Sequence, residues 1–353
     1  MSGATPEPSE EAGPAEGAPP QGGEPGDLVE QVATGSDAAP ARGEGAPWLI
    51  FLREAYAPGM HLGFVAVWFL GLAGALHLVR GVPWRLDLSV LLAILALFFL
   101  MYFIRIVDEV KDADYDLQFN PDRPFARGVV TIADLRRYAL VTGLLTLACG
   151  AWPSIRVSLW LLPILALDLF HTLLLVKLEE RSERVREQML VNLVVTYPVN
   201  LLVTVFTYVY VLGATGGQPR VEDALLVGAF AFFFLHFELG RKLVWPAVLE
   251  PNEKAYTLVI PPVLGALGVV ILSAGSTAAV LIALAPWASE RPFAWVAWGL
   301  LAAPLLALVM AGRFLSRRDQ RVKLKGLGML GITLFYGILT LTSLLGNDLR
   351  WAL

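Results

Sequence analysis

Apolar residues in this chain fall in long runs divided by short polar connections. Nine runs lie near residues 58–80, 88–107, 133–152, 156–176, 191–212, 223–243, 258–285, 292–314 and 325–345. Runs of about 18 or more apolar residues are long enough to cross a hydrocarbon core of about 30 Å. The pattern therefore predicts an all-α, polytopic bundle of about nine transmembrane helices. A membrane β-barrel would instead show ~10-residue segments of alternating polarity. The seventh run contains "IPPVLG" and then "SAGST". It is expected to begin irregularly or to break in the middle, because backbone at membrane depth tolerates Pro and Gly only where freed groups find new partners.

Residues 1–46 break the pattern. They are rich in Pro, Gly, Ala and Glu, with nine acids, one Arg and no apolar run. Such a segment cannot bury enough surface to fold, so it is expected to be a disordered acidic tail ahead of a membrane domain at 47–353. It lacks the basic start and apolar core of a signal peptide. The tail carries −8 of a chain whose net charge is −4, so the membrane domain is +4. The single cysteine, Cys149, excludes an intrachain disulfide and a cysteine-built metal site.

The bases are unevenly placed. With the N-terminus inside, twenty-one Lys and Arg fall on the inner side and six on the outer side. The positive-inside bias thus predicts cytoplasmic N-terminal and even-numbered connections, with the C-terminus outside. This suits a bacterial-type inner (cytoplasmic) membrane.

One connection carries the candidate chemistry. After the second run comes "FIRIVDEVKDADYDLQFNPDRPFARG", residues 103–128. At 100° per helical residue, Asp108, Asp112, Asp116 and Glu109 fall within an arc of about 100°, with Arg105 inside it. Four clustered carboxylates repel, and burial near a membrane raises the cost. A hard divalent cation or several bases would offset this. Mg²⁺ takes oxygen ligands and commonly bridges carboxylates to phosphates. The bases Lys111, Arg123 and Arg127 stand close by, and Pro121 and Pro124 stiffen the turn. The layout suits a metal–diphosphate site, with acids on Mg²⁺ and bases on phosphate oxygens. A solvated loop with acids and bases paired across it is the alternative.

"DEVKDADYD" followed by "PDRPFARG" resembles the first signature of the UbiA-type intramembrane prenyltransferase superfamily, Asn-Asp-x-x-Asp-x-x-x-Asp with a downstream Arg-Pro and Gly. Asp108 takes the Asn place and Glu109 the first Asp place. Asp112 and Asp116 match directly, as do Arg123, Pro124 and Gly128. The resemblance covers about residues 50–350 and implies a nine-helix fold with the motif on the cytoplasmic side. It implies catalytic roles for Asp112, Asp116 and Arg123, and metal ligation by Asp108, Glu109, Asp112 and Asp116. The implied partners are Mg²⁺, a prenyl diphosphate and a lipophilic, commonly aromatic, acceptor in the surrounding lipid. No nucleic-acid partner is expected.

The superfamily's second acidic motif, Asp-x-x-x-Asp, would fall within "FFFLHFELGRKLVWPAVLEPNEKAYTLV". Here Glu238, Arg241 and Lys242 stand at i, i+3 and i+4 on one helix face. Either Glu238 holds a second metal, helped by Glu250 or Glu253, or Arg241 and Lys242 neutralise diphosphate in its place. A plain anchor with a local salt bridge is the third reading. Asp168, inside the fourth run, would face a cavity or pair with Lys177. His171 and His236 read as hydrogen-bonded packing residues, and "KLEERSERVREQM" at 177–189 as a solvated helix. The competing functions are a cyclase of the same superfamily and a transporter or lipid-binding protein. The charges gather at one membrane face and the chain shows no internal repeat, which disfavours a transporter. A phosphatidyl-alcohol transferase would need an Asp-Gly-x-x-Ala-Arg start, which is missing.

Overall fold

The structure, a computed structural model, describes residues 46–250 and 253–352. The expected tail at 1–46 lies outside the described residues except for Ala46. Among the described residues, nine helical spans are long and apolar enough to cross a membrane. They are α1 Pro58–Arg80, α2 Leu88–Lys111, α3 Ile132–Arg156, α4 Leu161–Arg181, α5 Met189–Thr215, α6 Val221–Arg241, α7 Pro262–Ala288, α8 Phe293–Ser316 and α9 Lys325–Gly346. The chain is an all-α integral membrane protein. Enclosure differs among the spans: 56% of the most apolar window of α1 is buried, against 28% for α5. α1 is therefore central, whereas most residues of α5 are half-buried.

Three spans differ in detail from a plain reading of their apolar runs. α4 starts five residues later than its apolar run, because residues 157–160 form the turn that follows Pro153. α7 does begin irregularly, behind a short 3-10 turn at Tyr256–Leu258 and two prolines, but its helix then runs unbroken through "SAGST" to Leu284. α5 is two helices, Met189–Thr196 and Pro198–Thr215, meeting at Tyr197. Pro198 has no N–H to carry the hydrogen-bond ladder across the joint.

Lipid gives helices no hydrophobic reason to associate, so close approach and interhelical hydrogen bonds hold the bundle. α1 and α9 show both. A Cβ on Gly74 would meet Ser343 Cβ at 2.5 Å and the Trp84 ring at 2.6 Å, so only glycine allows this approach. Thr340 Oγ1 donates to the Val67 carbonyl at 3.1 Å and Asn347 Nδ2 to the Gly74 carbonyl at 2.9 Å. Such bonds contribute about 0.6 kcal/mol each in a membrane. Behind them, Phe233 of α6 stacks on Phe335 of α9 at 3.9 Å, and Phe230 on Tyr336 at 4.7 Å.

Long-range ion pairs report how the connections are distributed. Lys254 meets Glu187, Arg321 meets Glu250 and Glu253, Lys111 meets Glu179, and Arg127 meets Glu54. All of these join the segment before α1 or the connections after α2, α4, α6 and α8. On the opposite face, the buried pair Arg80–Asp223 joins the end of α1 to the start of α6 at 2.5 Å. There, strand β1 (Trp84–Asp87) also pairs in parallel with strand β2 (Leu349–Ala352). Each span thus crosses from one face to the other. The face of the acidic motif is called the motif face below.

Candidate active site

The motif is built at the end of α2. Asp87 caps the far end of this helix by accepting from the amides of Ser89 and Val90 at 2.9 and 3.2 Å. At the motif end the regular helix stops at Lys111. Asp112 sits at φ −90°, ψ 10°, and a short helix, Ala113–Phe119, follows. The expected continuous helix is therefore kinked. The amides of Asp112 and Asp116 still reach the carbonyls four residues back, at 2.9 and 2.8 Å, so the common face survives the kink.

The turn after the short helix is held from below. Phe125 and Val130 are fully buried against Phe51, Tyr56, Tyr102 and Ile106. Gly128 takes φ 72°, a left-handed conformation open to glycine at little cost. Its amide bonds to Phe125 and that of Val129 to Pro124, both at 2.9 Å. This anchored turn brings Arg123 back over the end of α2.

The four acids divide into two groups. Glu109 is buried. Its Oε1 accepts from Arg105 Nη2 and, at 2.6 Å, from Arg123 Nη1. Asp116 is equally buried; its Oδ1 accepts from Asn120 Nδ2 at 2.7 Å, and its Oδ2 lies 3.5 Å from Arg123 Nη1. Glu109 Oε2 and Asp116 Oδ2 are buried without a hydrogen-bond partner. Asp108 and Asp112 instead face Lys111, with oxygens 3.6 and 3.9 Å from its Nζ. The division follows the helical angles, since Glu109 and Asp116 lie at about 100° and 80° and Asp108 and Asp112 at about 0° and 40°.

Arg105 also donates from Nε to the Ala55 carbonyl at 3.1 Å, tying α2 to the segment before α1. Glu54 in that segment makes an exposed pair with Arg127. Glu54, Arg105, Glu109, Asn120 and Arg123 line a cleft of about 410 Å³. Half of the Asp112 side chain remains accessible, yet its carboxyl is pushed up to about 6. Loss of hydration is the main cause. Lys111 opposes it, and the negative charges of Asp108, Asp116 and Glu179 add to it.

The second cluster is separate. Arg241 donates to both Glu238 oxygens, at 2.7 and 2.9 Å, and Lys242 Nζ lies 3.1 Å from Oε1. Lys242 also sits 5.7 Å from the Tyr256 ring centre. No ion pair joins this cluster to the acidic motif among the described residues. Glu250 and Glu253 are held by Arg321, at 2.5 and 2.6 Å. Among the described residues, no three His, Cys, Asp or Glu side chains form a metal-holding group. The five acids expected to ligate metal, Asp108, Glu109, Asp112, Asp116 and Glu238, each stand beside a base.

Other candidates resolve individually. His171 Nε2 bonds to the Val195 carbonyl at 3.0 Å. His236 is buried against Phe233 with neither ring nitrogen hydrogen-bonded. Asp168 is buried with both oxygens unpartnered, while Lys177 pairs with Glu180 at 2.8 Å. The sequence reading missed Glu179, which α4 brings to 3.5 Å from Lys111, and Asn192, whose Nδ2 donates to Glu179 at 2.9 Å. It also missed Glu54 and Asn120. Asn120 was the one visible locally, since it stands four residues after Asp116 on the same helix face.

Solved structures supply the comparison. Digeranylgeranylglyceryl phosphate synthase, studied in membranes, superposes with a TM-score of 0.56 at 12% identity, over 86% of this chain and 98% of that one. The chain has that synthase's fold. A UbiA homologue from Archaeoglobus fulgidus, solved with DMAPP and Mg²⁺, aligns with a TM-score of 0.47 at 16% identity, over 82% of this chain and 98% of that one. A UbiA homologue from the same organism with Cd²⁺ gives 0.45 at 14%, over the same shares. No family model and no curated protein matches the chain. At such identities the likeness fixes the fold and leaves the chemistry to the residues.

Proposed function

We propose that this chain is a divergent UbiA-type prenyltransferase that moves a prenyl group from a prenyl diphosphate to a lipophilic acceptor, with Mg²⁺. The observation that carries the reading is Arg123 poised over two buried acids beside a 410 Å³ cleft, in a bundle of the synthase's fold.

Charge balance supports a metal. Glu54, Asp108, Glu109, Asp112, Asp116 and Glu179 face Arg105, Lys111, Arg123 and Arg127, a local excess of two negative charges. A diphosphate adds more, so its binding there calls for divalent cations. The donors are all hard oxygens, and Glu109 Oε2 and Asp116 Oδ2 are buried and unbonded, which fits Mg²⁺. These two acids would hold it. Glu238, with both oxygens on bases, fits a metal poorly, which favours Arg241 and Lys242 as phosphate-neutralising groups. When bound, Mg²⁺ would neutralise charge on the departing diphosphate.

Arg123, with Arg127 and Lys111 nearby, supplies donors for the phosphate oxygens. Glu109 and Asp116 fix the Arg123 guanidinium in place. The bond from the allylic carbon to oxygen breaks, the acceptor attacks that carbon and the acceptor loses a proton. The lipid-embedded bundle keeps water from the carbocation. We assign the motif face to the cytoplasm, on the strength of the Lys and Arg bias.

The test is thermal unfolding of the detergent-purified chain with geranyl, farnesyl or geranylgeranyl diphosphate, each with and without Mg²⁺. A ligand at a hundred times its Kd stabilises the folded state by about 2.7 kcal/mol. A shift that needs both components, with release of inorganic diphosphate, is the expected result. No Mg²⁺-dependent shift at any chain length would defeat the reading.

A further inference from the structure

Lys111 stands at the centre of a cage. Its Nζ is 3.6 Å from Asp108 Oδ1, 3.9 Å from Asp112 Oδ1 and 3.5 Å from Glu179 Oε2. No oxygen is at ordinary hydrogen-bond distance, so the ammonium is shared by three acids rather than bonded to one. The acids come from the ends of two helices, α2 and α4. The third wall is fixed from behind, since Asn192 Nδ2 donates to Glu179 Oε1 at 2.9 Å and to the Val185 carbonyl at 3.2 Å. Glu179 is 8% exposed although it is a charged residue at a helix end. Three carboxylate oxygens around one positive centre are the kind of hard donors a divalent ion takes, at a spacing wider than metal–oxygen bonds. Here a compact charge on the chain's own four-carbon stem stands between them.

We propose that Lys111 is a built-in cation of this cage, and that Asp108, Asp112 and Glu179 therefore hold no divalent ion in the native protein. Any divalent ion is then held on the other side of the motif, at Glu109 and Asp116. The cage fixes the Lys111 charge beside the motif, where it offsets part of the repulsion that these acids would exert on an incoming phosphate. This inference rests on the diphosphate reading for the role of Lys111, but the occupancy of the cage is tested without diphosphate.

The probe is Mn²⁺, counted by electron paramagnetic resonance on the full chain in detergent, with folding checked by size exclusion. Lys111→Met leaves three acids and no cation, so it should bind one more equivalent of Mn²⁺ than the native chain. Lys111→Arg should gain none, and adding Glu179→Gln to Lys111→Met should abolish the gain. An unchanged count in folded Lys111→Met overturns the proposal. Should that variant fail to fold, Glu179→Gln in the otherwise native chain decides. Mn²⁺ affinity within threefold of native is expected, and a larger loss would mean that the cage holds metal after all. A missing thermal shift with prenyl diphosphates would defeat the diphosphate reading and leave the Mn²⁺ counts standing, so the two failures are told apart.

Discussion

Asp112→Asn should make the protein more stable at neutral pH. The Asp112 carboxyl is pushed up to about 6 from an ordinary 3.8, so the folded state holds its proton more tightly than the unfolded state does. Stability then falls as pH rises from about 4 to about 6, and the full penalty is present above that window. At about 1.36 kcal/mol per pH unit the whole shift would correspond to about 3 kcal/mol. Half of the side chain is exposed, and solvent screening reduces this to roughly 1 kcal/mol. Asparagine carries neither the charge nor the proton. The variant should therefore match native near pH 4 and melt about 2 °C higher at pH 7.5. The assay is thermal unfolding in detergent with EDTA across pH 4 to 8. Asp114→Asn, on the exposed side of the same short helix, controls for general charge removal. A variant whose pH profile parallels native, or which melts lower at pH 7.5, would refute the reasoning. An acid kept at a net cost to the fold marks a candidate functional site.

Arg123→Ala and Asp116→Asn should each lose at least tenfold in the apparent affinity for Mg²⁺ with prenyl diphosphate, read by thermal shift. Lys242→Ala should weaken the same shift while Glu238→Gln leaves its Mg²⁺ requirement within threefold, if Arg241 and Lys242 act in place of a second metal. Arg80→Met leaves Asp223 buried without its counter-ion, a defect that costs about 3–5 kcal/mol, and the double variant with Asp223→Leu should recover most of it in thermal unfolding. In a Cys149→Ser background, cysteines at Ser182 and Arg318 should be labelled from the cytoplasmic side and one at Gly217 from the other; labelling of Gly217 from the cytoplasm would overturn the assigned orientation.

Much of this was legible in the chain itself, because a bilayer imposes a length and polarity rule that nine apolar runs obey locally. The division of the acids was implicit too, since the helical angle separates Glu109 and Asp116 from Asp108 and Asp112. Glu179 and Asn192 were not legible, for nothing near residue 179 says that α4 ends beside α2. That contact is made by packing across 68 residues of sequence. The same holds for Arg105 reaching the carbonyl of Ala55, 50 residues away. The "SAGST" stretch misled for a related reason. Glycine and serine weaken a helix in water, but in lipid every backbone group must be bonded, and the ladder of α7 simply continues.

The parallel pairing of β1 with β2 sets an order on biogenesis. β1 ends at Asp87, the residue that caps α2, and β2 begins three residues after α9 ends. The helix that carries the acidic motif is thus fastened at its far end by a strand that follows the ninth span. During synthesis α2 must wait in the bilayer, its cap unsupported, while seven further spans are inserted. A two-stranded ladder is weak alone, so it forms only when the bundle is complete around it. A truncation between residues 346 and 349 would leave all nine spans with the motif helix untethered at its distal end, a species that quality-control proteases should clear faster than the chain that carries β2.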